Sequence, residues 1–266
     1  MSAQPVGVFD SGIGGLTVVR ELERQLPAES LVYVGDTARV PYGTKSPETV
    51  RRYSAEILEL LLARNVKMVV VGCNTASAHA LDMLRDMTPV PVEGVIQPGA
   101  RAAVRASRSG RIGVIGTAGT IRSGAYERAI RGLKPDAVVV SAAAPLFVPL
   151  VEEGWLEHDA TRLVAAHYLA PLRDAGIDTL VLGCTHYPLL KPLLGAVLGP
   201  GITLIDSAEE TAATVARHLK HQGLAAPPGE RGHVHFCVSD AVETFSRVGG
   251  AFLGRPVEDV ELVQLG

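Results

Sequence analysis

Along the first hundred residues, short runs of apolar and β-branched side chains alternate with longer stretches in which apolar residues recur at helical spacing. Val6 to Phe9, Leu31 to Val34, Met68 to Val71 and Val92 to Ile96 read as strands. Helical patterns near Leu16 to Gln25, Glu48 to Arg64 and Ala76 to Asp86 separate them. Strands this uniformly apolar predict a parallel sheet covered by helices on both faces, because a half-exposed strand would alternate polar and apolar positions.

The series then repeats. Ile112 to Ile115, Ala137 to Val140, Leu180 to Leu182 and Thr203 to Ile205 read as strands, with helical stretches near Gly124 to Arg131, Thr161 to Ala175 and Leu189 to Leu198. Val6-Gly-Val-Phe-Asp10-Ser11 aligns with Ile112-Gly-Val-Ile-Gly116-Thr117, which predicts two related α/β domains with mainly parallel sheets and pseudo-symmetry between them. Pro98-Gly99 punctuates the chain and marks the boundary. A helix from Ser207 to His221, a Pro-rich turn from Ala225 to Gly232, a strand from His233 to Val238, a helix from Ala241 to Leu253 and a short run from Val257 to Leu265 follow. Chain termini tend to lie together, so this tail is assigned to the first half. The expected division is residues 1–97 plus 207–266 as one domain and 98–206 as the other, with the site in the cleft between them.

Composition narrows the setting. At 266 residues and 47% hydrophobic, the chain can bury a full core, and its formal charge of −3 carries no footprint for nucleic acid. Three cysteines make no disulfide framework and read as reduced thiols. Met-Ser-Ala-Gln-Pro runs into the first strand without a basic or apolar leader, and the apolar runs are too short for a membrane span. A cytoplasmic protein that binds neither nucleic acid nor membrane is expected.

Two of those cysteines occupy matching settings 111 residues apart, Val69-Val-Val-Gly-Cys73-Asn-Thr75 and Leu180-Val-Leu-Gly-Cys184-Thr-His186. Each closes a buried strand and precedes residues that suit a helix N-cap, the place where open α/β sheets bind ligands. Helix N-terminal N–H groups also favour a thiolate. A single buried cysteine is ordinarily a small hydrophobe, and that reading stands for Cys237 in His235-Phe-Cys-Val. Duplication of the setting argues against it for Cys73 and Cys184.

A disulfide relay would use Cys-x-x-Cys, which is absent, and a zinc site from Cys73, Cys184 and His186 lacks close ligand pairs. Nucleophilic catalysis leaves one thiol unexplained. Two proton-transfer groups on opposite faces of a carbon acid use both. Asp10-Ser11 and Asp36-Thr37 follow the first two strands, Glu152-Glu153 and His186 lie near the strand ends of the second half, and any of these could instead be a cap or a solvated loop charge.

Three competing readings use other features. Gly12-Ile-Gly14-Gly-Leu-Thr17 with Asp36 downstream imitates a dinucleotide fingerprint, but the third glycine is missing and Asp10 would oppose a pyrophosphate. Pyridoxal phosphate would need Lys45, Lys67, Lys134, Lys191 or Lys220, none of which ends an apolar strand. A two-lobed binding protein for small dicarboxylates would carry the cysteines as wall residues.

Five segments together resemble the cofactor-independent aspartate/glutamate racemase family, on its glutamate-specific side. They are Phe9-Asp-Ser-Gly-Ile-Gly-Gly-Leu-Thr17, Tyr33-Val-Gly-Asp-Thr-Ala38 with Pro41-Tyr-Gly43, Gly72-Cys-Asn-Thr-Ala76, Pro145-Leu-Phe-Val-Pro-Leu-Val-Glu152 and Leu182-Gly-Cys-Thr-His-Tyr-Pro188. The resemblance implies interconversion of L- and D-glutamate without cofactor or metal, supplying D-glutamate for peptidoglycan, by a homodimer. It implies that Cys73 deprotonates D-glutamate and Cys184 L-glutamate, assisted by Asp10 and His186, with Asp36 and Glu152 as further acids. Asp10, Ser11, Tyr42, Gly43, Asn74, Thr75, Thr117, Thr120, Thr185 and His186 would hold the substrate. One departure is Ala144, where family members often carry a cysteine.

Overall fold

A computed structural model describes residues 2–227, 229 and 231–266; Pro228 and Glu230 of the expected Pro-rich turn lie outside the described residues. In chain order the elements are β1 (Val6–Asp10), α1 (Leu16–Gln25), β2 (Leu31–Gly35), α2 (Pro47–Ala63), β3 (Met68–Val71), α3 (Asn74–His79), α4 (Leu81–Asp86), β4 (Val92–Gly94) and α5 (Ile96–Ala106). Next come β5 (Arg111–Gly116), α6 (Ala118–Arg122), α7 (Ala125–Leu133), β6 (Val138–Ala143), α8 (Phe147–Glu152), α9 (Asp159–Asp174), β7 (Thr179–Gly183), α10 (Lys191–Leu198) and β8 (Thr203–Asp206). The chain closes with α11 (Ser207–His221), β9 (Val234–Val238), α12 (Val242–Leu253) and β10 (Val260–Leu262). Short 3-10 turns at Thr37–Arg39, Tyr42–Thr44 and Tyr187–Leu190 shape the loops after β2 and β7.

Among the described residues the strands form two sheets, ordered β10-β9-β2-β1-β3-β4 and β6-β5-β7-β8, and every pairing is parallel. β1, β2, β3 and β7 are buried along their whole length. This is what continuous apolar strands require when helices cover both faces. β9 pairs with β2 and β10 with β9, so the C-terminal strands extend the first sheet. α11 lies between, packing on α1 of the first half and α5 of the second. Its start is fixed by Asp206, which accepts the Ala208 N–H at 2.9 Å, with Glu209 and Glu210 in the positive first turn.

Several expected boundaries shift for local reasons. β4 ends at Gly94, and Ile96 opens a helix that the sequence pattern did not predict. Pro98 and Gly99, expected as punctuation, sit inside its first turns, where a missing proline N–H costs no intrahelical bond. The single helix expected from Ala76 to Asp86 starts at Asn74 and breaks at Ala80 into α3 and α4. Glu152 ends a short helix, α8, rather than standing on a loop.

Candidate active site

The two thiols stand at equivalent strand ends. Cys73 follows β3 and caps α3, its Sγ accepting the Ala76 N–H at 3.5 Å and facing Ser11 Oγ at 3.7 Å. Cys184 follows β7, with Sγ 3.9 Å from His186 Nδ1. Both are nearly buried, at 5% and 6% exposure. A single cavity of about 50 Å³ lies between them, lined by Ser11, Tyr42, Gly43, Cys73, Asn74, Thr75, Thr117, Glu152, Cys184, Thr185 and His186.

Each thiol has its own partner. Burial and then the Asp10 carboxylate push the Cys73 thiol up to about 12, so it rests protonated. Asp10 is itself raised by burial, against the opposing influence of His186 and of the Gly12, Gly15 and Ser11 N–H groups. Its Oδ2 accepts the Gly12 N–H at 3.0 Å, and Oδ1 is buried without a partner. On the other side, His186 Nε2 meets Glu152 Oε1 at 2.8 Å. Burial works against charge on this ring, but hydrogen bonds to Cys184 and Glu152 outweigh it and raise its proton affinity to about 10.

Donors for a carboxylate come from both halves. Thr75 Oγ1 lies 2.9 Å from Thr117 Oγ1 and 3.2 Å from Thr120 Oγ1, joining α3 to α6 across the cleft. Thr117 also caps α6, accepting the Thr120 N–H at 3.2 Å. Asn74 Nδ2 is buried and has no partner, a donor left free beside the cavity. The opposite crossing is made by Thr17, whose hydroxyl donates to the Thr185 carbonyl at 3.1 Å.

Three expected site residues do not line the cavity: Asp10, Asp36 and Thr120 lie directly behind it. Asp36 is fully buried and fully engaged, accepting from Tyr42 Oη at 2.5 Å, Arg39 Nε at 2.7 Å and Ser239 Oγ at 2.9 Å. It therefore holds Tyr42 in the wall rather than facing a ligand. Glu153, at the C-cap of α8, is exposed and outside the lining. Sequence reasoning missed Gly12, Ile13, Val40, Pro41 and Val148 as wall residues; all but Val40 lie within the segments quoted for the resemblance.

The glycine loop after β1 also finds its reason here. A Cβ on Gly14 would overlap Thr185 Oγ1 and the His186 ring, so this glycine lets the start of α1 approach the Cys184 loop. With Asp36 engaged as described, the loop has a use that needs no dinucleotide. Of the five lysines, none lines the cavity: Lys67 is buried on Glu29 at 2.5 Å, Lys191 pairs with Asp206 and Lys134 with Asp136.

Among the described residues, the His, Cys and carboxylate groups close enough to share an ion are His235, Cys237 and Glu261, and Cys73, Cys184 and His186 form no such group. Arg64 already holds Glu261 through two hydrogen bonds of 2.7 and 2.9 Å, so a guanidinium occupies that cation position. A wider groove of about 780 Å³ beside α4 and α7 carries Arg51, Arg85 and Arg128, whose side chains are bonded to the carbonyls of His79, Val92 and Ser123. No helix among the described residues is long and apolar enough to cross a membrane.

Comparison with known proteins places the whole chain in one family. The family model for Asp/Glu/Hydantoin racemase matches residues 6–215. A glutamate racemase of Geobacter metallireducens is 56% identical over 265 residues, covering 100% of this chain and 98% of its own. The crystal structure of the Bacillus anthracis glutamate racemase isoform RacE1 superposes with a TM-score of 0.96 at 42% identity, over 100% of this chain and 99% of that one. The glutamate racemase of Francisella tularensis, solved in complex with D-glutamate, reaches 0.93 at 36% identity over 99% and 98% of the two chains. The chain thus belongs to the Asp/Glu/Hydantoin racemase family, on its glutamate racemase branch.

Proposed function

We propose that this protein interconverts L- and D-glutamate with Cys73 and Cys184 as two opposed acid–base groups and with no cofactor. The observation that carries the proposal is the pair of equivalent strand-end thiols on one cavity, each with a different proton partner. One sulfur, as thiolate, removes the α-proton; the carbon is left with the bonding pair; the other thiol delivers a proton to the opposite face. The net change is inversion, and one proton has moved from carbon to one sulfur while another has moved from the second sulfur to carbon. Each positioned group of this kind contributes roughly 10²–10⁴-fold.

The carbanion needs stabilisation from fixed donors and from exclusion of water. Asn74 Nδ2, the hydroxyls of Ser11, Thr75, Thr117 and Thr185, and the N–H groups at the start of α3 are suited to the substrate's carboxylates. Asp10 and His186 position and supply protons to the thiols, with Glu152 behind His186 and Asp36 behind Tyr42. A cavity of about 50 Å³ has room for only a few waters, so glutamate must part the two halves to reach it. We assign residues 1–97 plus 207–266 to the lobe carrying Cys73 and 98–206 to that carrying Cys184. Family likeness supports a cytoplasmic homodimer that supplies D-glutamate for peptidoglycan.

Circular dichroism of D- and L-glutamate incubated with the protein, together with deuterium uptake from solvent at the α-carbon, tests the reading. Inversion with deuterium uptake is expected for the wild type, and a loss of about 10²–10⁴-fold or more for Cys73→Ala and for Cys184→Ala. Full activity in either variant would overturn the two-thiol mechanism, and uptake by neither enantiomer would leave a binding protein.

A further inference from the structure

Tyr126 touches the surroundings of both thiols at once. It belongs to α7 in the second half and is 2% exposed. Its hydroxyl donates to Asn74 Oδ1 at 2.7 Å, the side chain next to Cys73. Its ring lies against Gly183, the residue before Cys184, and against Gly99 in α5: a methyl group there would come within 3.0 Å and 3.4 Å of the ring, respectively. The Gly99 that read as punctuation in the sequence thus makes room for this ring. Burial raises the Tyr126 phenol, which stays protonated and able to donate.

The Asn74 amide has two ends with opposite polarity. Tyr126 takes the carbonyl end, and the amide end, Nδ2, is left buried and unpaired beside the cavity. Rotation by half a turn would place the carbonyl oxygen there, and an acceptor facing a substrate carboxylate is repulsive rather than attractive. A hydroxyl that donates to Oδ1 favours the orientation that turns Nδ2 toward the cavity. Because Tyr126 stands on α7 and Asn74 on α3, helices that pack with different sheets, the bond is made only while the two halves are together.

We propose that Tyr126 is a positioning residue that fixes the orientation of the Asn74 amide so that Nδ2 is presented to the substrate carboxylate. The proposal rests on the racemase reading of the same cavity and extends it to a residue outside the cavity wall.

Tyr126→Phe keeps the ring and deletes only the donor. The expected result is a loss of about tenfold in kcat/KM for glutamate, carried mainly by KM, since the amide contacts substrate before and during proton transfer. The decisive comparison is a double-mutant cycle with Asn74→Ala, with far-ultraviolet circular dichroism confirming that each variant is folded. If Tyr126 acts through Asn74, adding Tyr126→Phe to Asn74→Ala changes kcat/KM by less than about twofold. Equal losses in both backgrounds, or an unchanged KM in Tyr126→Phe, would overturn the proposal. Wild-type turnover is measured in the same series: its absence would overturn the racemase reading, whereas turnover with additive variants would overturn the role of Tyr126 alone.

Discussion

Glu152 Oε1 lies 2.8 Å from His186 Nε2, which leaves the ring's other nitrogen facing Cys184 Sγ at 3.9 Å. The acid thus acts on the thiol through the imidazole. His186 holds its proton up to about pH 10, above its ordinary value of 6.5. A group whose affinity is raised on folding stabilises the fold fully below its unfolded pKa, and the contribution fades as pH rises through the folded value. Glu152→Gln should therefore cost about 1 kcal/mol near pH 6, a charge-assisted bond discounted for the 43% exposure of the Glu152 side chain. Thermal unfolding across pH 6 to 10 checks the sign. The gap between wild type and variant should close as pH rises, and a gap that widened would refute the coupling.

The Asp10 carboxylate acts on the other thiol directly. After burial, it is the largest influence raising Cys73. Asp10→Asn removes the charge but keeps the shape, so Cys73 should lose its proton more readily. A change of one unit is tenfold in thiolate, and alkylation of Cys73 by iodoacetamide at pH 9 should accelerate by about threefold to tenfold. Peptide mass spectrometry separates Cys73 from Cys184 in the same sample. A slower reaction at Cys73 would mean that Asp10 acts mainly by holding the loop through Gly12.

The strand ends that carry the thiols were legible because every signal there is local: a continuous apolar run, a glycine, a thiol and a capping residue in seven positions. α5 was not legible, because Pro98 and Gly99 have poor helix propensity; Pro98 is tolerated by its place in the first turn and Gly99 by a tertiary contact, the ring of Tyr126. Asp36 was placed correctly at a strand end, yet its partners Arg39, Tyr42 and Ser239 decide what it does, and Ser239 is 203 residues away. The Tyr126 contact with Asn74 joins α7 of one half to α3 of the other and leaves no periodic trace in the sequence.

Lys67 shows how a titratable group can be buried for the fold alone. Its Nζ meets Glu29 Oε2 at 2.5 Å and donates to the Ser2 carbonyl at 2.9 Å, while Glu29 Oε1 accepts the Ala226 N–H at 2.6 Å. The pair ties the start of β3 to the N-terminal segment and to the turn after α11. Lys67→Met leaves a carboxylate buried without its cation and should cost about 3–5 kcal/mol in urea unfolding. Adding Glu29→Gln should recover much of that loss, because the uncompensated charge is then gone. A Lys67→Met variant within about 1 kcal/mol of wild type would mean that water or another cation reaches Glu29.

Gly14 carries the most specific steric requirement at the site. Its missing side chain lets the start of α1 reach the Cys184 loop, where Thr17 donates to the Thr185 carbonyl at 3.1 Å. A methyl group there would overlap Thr185 Oγ1 and the imidazole of His186, and the imidazole cannot retreat without disturbing its bond to Glu152. Overpacking of this kind costs about 1–3 kcal/mol, and a displacement of about 1 Å at a proton donor costs about 10²-fold in rate. Gly14→Ala should therefore lose far more activity than stability. Gly132 in α7 supplies the control: a methyl group added there would meet nothing within 4 Å, so Gly132→Ala should keep full activity and gain about 0.5–1 kcal/mol. Measuring kcat/KM and urea midpoints for both variants separates the effects. Equal losses of activity in the two would show that the close approach at Gly14 has no bearing on the chemistry.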